Sequence, residues 1–161
     1  MAINRRTMLG TLGAFGAAAA TGALAVGLPA SAVAQQLGQQ EGVQDALKRL
    51  FGARPIKDGS ALVKLDLPLI AENGAVVPVS VEVQSPMTAQ NYVKGIYVIA
   101  DKNRIPVVTH VTLAPEAGAA FMGANIRLGE TTDVRAIAEQ SDGTLLAVKR
   151  EVKVTVGGCG G

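Results

Sequence analysis

The sequence has little cysteine, little aromatic character and no long run of one charge. Its 161 residues include one cysteine, three phenylalanines, two tyrosines and no tryptophan. A single cysteine excludes an internal disulfide, and one cysteine with one histidine cannot complete a four-ligand zinc site. We therefore predict no cofactor and no metal, and a core of valine, leucine, isoleucine and alanine, which favours strands.

The charge balance gives no sign of an acidic partner. The formal net charge of +2 includes Arg5 and Arg6, and without them the basic side chains equal the 13 acidic ones in number. Affinity for nucleic acid depends largely on neutralising phosphates. A neutral body without a basic run therefore argues against a nucleic-acid partner.

Residues 1–34 have the three parts of an export signal. Arg5 and Arg6 open a segment that resembles a twin-arginine motif, a weakly apolar stretch follows, and "AVA" at 32–34 matches a small-residue cleavage pattern. We predict cleavage directly after this pattern, export to the periplasm by the twin-arginine route, and no membrane association afterwards. The alternative is a membrane anchor over residues 8–28, although its alanines, glycines and threonines are only weakly hydrophobic.

The start of the mature chain has the apolar spacing of a helix. In "EGVQDALKRLFGARP", Val43, Leu47 and Leu50 fall on one helical face. Gly52 is a suitable residue to follow the last turn, and Pro55 prevents a long continuation. We predict a helix from about 41 to 51.

After this helix the apolar period changes from 3.6 to 2. The clearest segment is "VVPVSVEV", whose valines alternate along residues 77–83, and Pro78 indicates an edge strand or a strand start. Six further segments have similar character and are separated by turn signals: 61–68, 94–100, 105–113, 119–128, 134–140 and 144–156. Seven short strands predict an all-β, immunoglobulin-like antiparallel β-sandwich over residues 35–156, with a short N-terminal helix.

The chain ends in "VTVGGCGG", which places the only cysteine among four glycines. We expect Val152, Val154 and Val156 to point inward along the last strand, and we expect residues 157–161 to form a flexible swinging arm. The glycines of this arm, Gly157, Gly158, Gly160 and Gly161, leave the backbone free to enter a narrow channel.

This arrangement favours covalent attachment of a substrate at Cys159 over catalysis by the chain itself. No catalytic residue is predicted, since nothing in the tail would activate the thiol. The alternative is a loose terminus with an incidental cysteine.

Other polar residues have simpler interpretations. His110 alternates with Val108 and Thr112 along a predicted strand, and we interpret it as an ordinary sheet residue. Three basic residues precede the arm, Lys149, Arg150 and Lys153. They are either solvated strand charges or a guide for an anionic cargo.

The sequence resembles a known family, the sulfur-carrier Y subunit of the bacterial Sox thiosulfate-oxidising system. The resemblance rests on the terminal "VKVTVGGCGG", the twin-arginine signal, "ALKRLFG", "LDLPLIAENGAVVPVSVEVQSPM" and "SDGTLLAVKREVKVT". It covers nearly the whole mature chain, and the GGCGG terminus is its specific part.

The resemblance implies a substrate carrier and not an enzyme. It implies a heterodimer with the Z subunit, which lacks its own signal and crosses the membrane with this chain. It also implies that Cys159 carries sulfur and docks transiently with the Sox cytochrome, a manganese-containing hydrolase that releases sulfate, and a molybdenum-containing sulfane dehydrogenase. Those cofactors belong to the visiting enzymes.

Two alternatives from other classes are also compatible with parts of the sequence. One is a ubiquitin-like sulfur carrier that uses a terminal Gly-Gly carboxylate, although its chemistry needs ATP and the present chain has an export signal. The other is a structural β-sandwich binding protein whose Cys159 forms an interchain disulfide. An adduct on the cysteine, a modified carboxylate or a dimer alone would distinguish the three.

Overall fold

One helix and nine strands follow each other along residues 38–158, the range that the computed structural model describes. Their bounds are α1 Val43–Phe51, β1 Ile56–Asp58, β2 Val63–Asp66, β3 Ile70–Asn73, β4 Val77–Val83, β5 Val93–Ala100, β6 Val107–Thr112, a 3₁₀ turn Pro115–Ala117, β7 Ala120–Ile126, β8 Thr132–Gln140 and β9 Leu145–Val156. The predicted export signal lies outside the described residues. None of the helices found between residues 38 and 158 has the length and apolar character needed to span a bilayer.

Helix α1 confirms the helix predicted from the apolar spacing and begins two residues later than expected. It ends at Gly52, whose φ of 64° lies in the region that favours glycine and whose N–H donates to the Lys48 carbonyl at 2.8 Å. On its exposed side, the Arg49 guanidinium donates to the Glu41 carboxylate. This hydrogen bond raises the pKa of Arg49.

The strands form two sheets, which confirms the predicted β-sandwich. The larger sheet has the order β1-β9-β8-β5-β6, and β3 pairs with another part of β9. The smaller sheet has the order β2-β4-β7. A single apolar cluster with residues from both sheets fills the space between them.

The sandwich differs from the prediction in two short strands. β1 and β3 were not predicted, and both pair with β9 in parallel, whereas the remaining pairs are antiparallel. They have three and four residues, and only one of these seven side chains is buried. Strands this short and exposed show no apolar alternation, so the sequence carries no period-2 signal for them.

The larger sheet is buried on both faces. Ile96, Val98 and their neighbours on β8 face the smaller sheet. Tyr97 and Ile99 point the other way and pack with Ile137 of β8 against helix α1. This double burial explains why β5 is almost continuously buried instead of alternating.

The smaller sheet shows the alternation that the sequence predicts. All four valines of β4 are buried, and the residues between them are exposed or half-buried. Pro78 is the second residue of this central strand. It lies opposite Asn125 of β7, at a level that the pairing with β2 does not reach. The lost N–H donor is thus tolerated at a strand start, one of the two expected positions.

We expect Phe51 to carry much of the attachment of helix α1. Its side chain is 3% exposed, and its ring meets that of Tyr97 edge to face, with centroids 5.1 Å apart. Phe51→Ala should lower the free energy of unfolding by about 3–5 kcal/mol. Phe121→Ala is the matched control, because that ring is 55% exposed and the change should cost only about 0.5 kcal/mol. Urea unfolding measures both, and similar losses would contradict this packing.

Candidate functional site

Strand β9 ends at Val156, three residues before Cys159 in the sequence. Its first part pairs with β8 as far as Val152, and its last residues pair with β3. Burial falls along this strand, because Val152 is fully buried, Val154 is half-buried and Val156 is 64% exposed. The expectation that all three valines point into the core is therefore wrong for Val156, which lies beyond the level of the core.

A chain of backbone hydrogen bonds holds the segment at the end of β9, through Val156 and Gly158. The Gly74 N–H donates to the Val156 carbonyl at 2.7 Å, and the Leu128 N–H donates to the Gly74 carbonyl at 2.7 Å. The Gly158 N–H then donates to the Leu128 carbonyl at 3.0 Å. Three separate segments of the chain therefore meet here, and we call this meeting point the backbone junction.

The junction is packed too closely for side chains at three of its residues. A β-carbon on Gly158 would lie 2.7 Å from the backbone nitrogen of Ala75. One on Gly157 would overlap the carbonyl oxygen of Gly129, and one on Gly74 would overlap that of Leu128. Because these are backbone atoms, no rotation of a side chain relieves the overlap. Glycine is needed at all three positions for close approach.

The predicted arm thus differs from the structure at its beginning. We expected free chain from Gly157 onward, whereas Gly157 and Gly158 pack on the sandwich and the latter is buried. The remaining predicted arm residues, Cys159, Gly160 and Gly161, lie outside the described residues. Whether the arm swings stays a prediction.

The side chain of Asn103 holds the segment of the junction that contains Leu128. Its side chain is 6% exposed, its Nδ2 donates to the Arg127 carbonyl at 2.7 Å, and its Oδ1 accepts from the Gly129 N–H at 3.1 Å. These two bonds clamp the backbone on either side of Leu128, whose side chain is itself fully buried. The carbonyl that receives the Gly158 N–H is therefore fixed on both sides.

An ion pair fixes the turn that presents Asn103. Arg135 of β8 makes two hydrogen bonds to the Asp101 carboxylate, at 2.6 and 2.7 Å. The side-chain hydrogen bond to Asp101 raises the pKa of Arg135, against a lowering by burial. The Asp101 N–H also donates to the Asp133 carbonyl at 2.9 Å. The turn is thus tied to β8 by backbone and side chain.

Basic and apolar residues lie beside the last part of β9. A shallow groove of about 440 Å³ is lined by Leu69, Ile70, Arg150, Glu151 and Lys153. Leu69 and Ile70 are 68% and 58% exposed, so this flank is partly apolar. Of the three basic residues noted in the sequence, two line the groove.

The other two polar candidates have structural partners. Lys149 donates to Asp133 at 2.9 Å, as expected for a strand charge. His110 lies in β6 opposite Tyr97, and the two rings stack with centroids 5.5 Å apart. In the part of the chain described, no three side chains of histidine, cysteine, aspartate or glutamate are grouped as metal ligands.

Sequence reasoning missed the residues that hold the junction. Gly74, Asn103 and Gly129 all lie in segments that the sequence marks as turns, "ENG", "DKN" and "GETTD". Turn composition predicts a change of chain direction but does not indicate which turns meet in space. That meeting depends on the pairing of β3 with β9, which the sequence did not reveal.

The chain matches a family model described as sulfur oxidation protein SoxY over residues 47–159. It is also similar to the solved structure of the sulfur carrier protein SoxY from Chlorobium limicola f thiosulfatophilum, with 30% identity and a TM-score of 0.59, over 70% of this chain and 96% of that chain. No curated protein sequence matches.

Two superoxide reductases share the fold. The neelaredoxin from Ignicoccus hospitalis has 18% identity and a TM-score of 0.51, over 58% of this chain and 80% of that chain. A putative superoxide reductase from Thermotoga maritima has 15% identity and a TM-score of 0.51, over 63% and 93%. At these identities the similarity concerns the arrangement of strands and not the chemistry.

Thr131 should hold the last part of β9, because its hydroxyl accepts the Val154 N–H at 3.0 Å. Thr131→Val removes the acceptor at nearly constant volume, and we expect a loss of about 1 kcal/mol in stability. The Val154 amide should exchange faster with solvent. Thr131→Ser keeps the hydroxyl and serves as the control. Equal behaviour of the two variants in hydrogen exchange would rule out this role of the hydroxyl.

Proposed function

The chain belongs to the SoxY family of sulfur oxidation proteins, and we propose that it carries sulfur intermediates covalently on the thiol of Cys159. Its role in sulfur oxidation is that of a carrier and not of an enzyme. The single observation that carries the proposal is the extent of the family match, which runs to residue 159 and so includes the only cysteine.

The structure supports this proposal through the position of the terminus. Strand β9 is anchored by the buried Val152, which precedes Cys159 by seven residues in the sequence. The strand then continues to Val156, three residues before the cysteine. The cysteine therefore follows directly after a segment that the body holds in place. A residue that transfers a covalently bound group must be attached to a chain segment that is held in place, and it must be accessible to a second protein.

The proposed loading step is an oxidation that the visiting cytochrome performs. The thiol sulfur forms a bond to the outer sulfur of thiosulfate, the thiol proton is released, and two electrons pass to the cytochrome. The product is a cysteine S-thiosulfonate. An ordinary cysteine thiol has a pKa of about 8.5 and is mostly protonated at neutral pH, so the visiting enzyme supplies the base.

The proposed second step is a hydrolysis that the sulfate-releasing enzyme performs. Water attacks the sulfonate sulfur, the bond between the two outer sulfurs breaks, and sulfate leaves with two protons released. The persulfide remains on the cysteine as its anion. The sulfane dehydrogenase then oxidises the outer sulfur of this persulfide to a sulfonate: three waters supply the oxygens, six protons are released, and six electrons pass to the dehydrogenase. In all three steps the chain contributes one attachment atom, which is consistent with its lack of a recognisable catalytic group.

The proposed setting is the periplasm, and the proposed stable partner is the Z subunit of the Sox system. The Arg5 and Arg6 segment resembles a signal for export of folded proteins, which allows a bound partner to cross with the chain. The family itself places the chain in a sulfur-oxidising system with partners of that system. The specific partners are part of the proposal and are those that the resemblance implies.

Cys159→Ser should abolish thiosulfate-dependent turnover by the reconstituted Sox enzymes and leave the unfolding transition unchanged. The cysteine follows the last buried valine, Val152, by seven residues in the sequence, so we expect the core to be unaffected. Intact-mass analysis should detect thiosulfonate or persulfide adducts on the unsubstituted chain alone. Adducts that persist in the variant would refute attachment at this residue, and a disulfide-linked dimer as the sole modified form would favour the structural alternative.

Arg5→Lys together with Arg6→Lys should block export of this chain and of its partner. The twin-arginine route requires both arginines in the motif, and we propose that the partner relies on the signal of this chain. Immunoblots of periplasmic and cytoplasmic fractions measure both proteins. Lys48→Arg with Arg49→Lys, on the exposed side of α1, is a control for charge-conserving change within the mature domain. Arrival of the partner in the periplasm without this chain would disprove joint export.

A further inference from the structure

The first two glycines of the terminal motif are held by the body of the protein. The Gly158 N–H bonds to Leu128, and the packing at Gly157 and Gly158 leaves no space for a β-carbon. A glycine that served only as a flexible joint would need no such partner. These contacts show that both residues have a packing role in addition to any conformational freedom.

We propose that Asn103 is a positioning residue for the carrier thiol, acting through the backbone junction. Asn103 clamps Arg127 and Gly129, the residue between them presents its carbonyl to Gly158, and Gly158 precedes the cysteine. The buried side chain of Asn103 thus fixes the carbonyl to which Gly158, the residue before Cys159, is hydrogen-bonded. That the positioned atom is a sulfur-carrying thiol rests on the proposed function.

The number of residues between Cys159 and the nearest held residue determines how far the thiol can extend from the domain. An extended residue advances about 3.3–3.6 Å. With Gly158 held, only one residue step separates the cysteine from the body, or about 3.5 Å along the chain. With the junction open, three steps separate it from the end of β9 at Val156, or about 10 Å. The junction therefore decides how far the thiol stands from the surface of its own domain.

Two thiol reagents of different size distinguish the closed junction from the open one. A small maleimide reaches a thiol close to a protein surface, whereas a maleimide linked to a bulky polymer is hindered there. In Asn103→Ala we expect the ratio of the polymer-reagent rate to the small-reagent rate to rise about three- to tenfold, the factor that one hydrogen bond of ordinary net strength represents. Asn91→Ala is the matched control, because Asn91 is an exposed loop residue.

Hydrogen exchange separates positioning from general support of the fold. In the unsubstituted full chain, the Gly158 amide should exchange at least about tenfold more slowly than an unstructured amide. In Asn103→Ala this protection should be lost, while the amides of β5 and β8 keep theirs. Loss of protection throughout these strands would show a merely structural role and overturn the proposal. An unprotected Gly158 amide in the unsubstituted chain would overturn it as well.

A second variant opens the junction from the arm and leaves the core untouched. Gly157→Ala places a methyl group against the Gly129 carbonyl and should also raise the reagent ratio and expose the Gly158 amide. Gly123→Ala is its control, because a β-carbon there meets only the Phe121 ring, at 3.5 Å. Unchanged values in Gly157→Ala would refute the junction. These readouts need no Sox enzyme, so absence of sulfur adducts on Cys159 would refute the carrier function separately.

Discussion

The rest of the structure depends on the pairing of a single strand with two sets of neighbours. β9 has twelve residues, more than any other strand in the described range. Its first residues lie between β1 and β8 inside the larger sheet, and its last residues pair with β3 beyond the core. Because β9 is paired along its length, the position of its last residue, Val156, is set by the neighbouring strands. The position of Gly158, the last described residue, is therefore a property of the fold and not of the terminal motif alone.

The larger sheet, to which β9 belongs, is packed on both faces. Its two central strands, β5 and β8, are covered on one face by the smaller sheet and on the other by helix α1. Aromatic residues are few, and two of them, Phe51 of helix α1 and Tyr97 of β5, pack against each other where the helix meets the sheet. The inter-sheet face uses small and branched aliphatic side chains instead, which pack densely without polar atoms that need partners. Among the described residues, the two buried aromatic rings thus lie at this one contact, and the core between the sheets is built mainly from aliphatic side chains.

The sequence predicted those elements that have a strong period, and it failed where tertiary contact decides. The alternating valines of β4 and the helical spacing before Gly52 both correspond to observed elements. β3 could not be predicted, because four mostly exposed residues owe their extended form to a neighbour distant in sequence. The same holds for the candidate site. Its cysteine was evident from the glycine-rich terminus, whereas Asn103 is recognisable only once three turns are brought together.

The terminal motif is symmetric as a sequence, with two glycines on each side of the cysteine, but its first pair has a distinct physical task. Gly157 and Gly158 have backbone neighbours on the sandwich that exclude any side chain. Absence of a side chain permits both close packing and backbone freedom, and only the three-dimensional neighbours show which property is used. In the proposed carrier role, this packing holds the residue just before Cys159 without adding a group that could react with a bound sulfur species. In that proposal, the body of the protein contributes to delivery by geometry, and the visiting enzymes perform the chemistry.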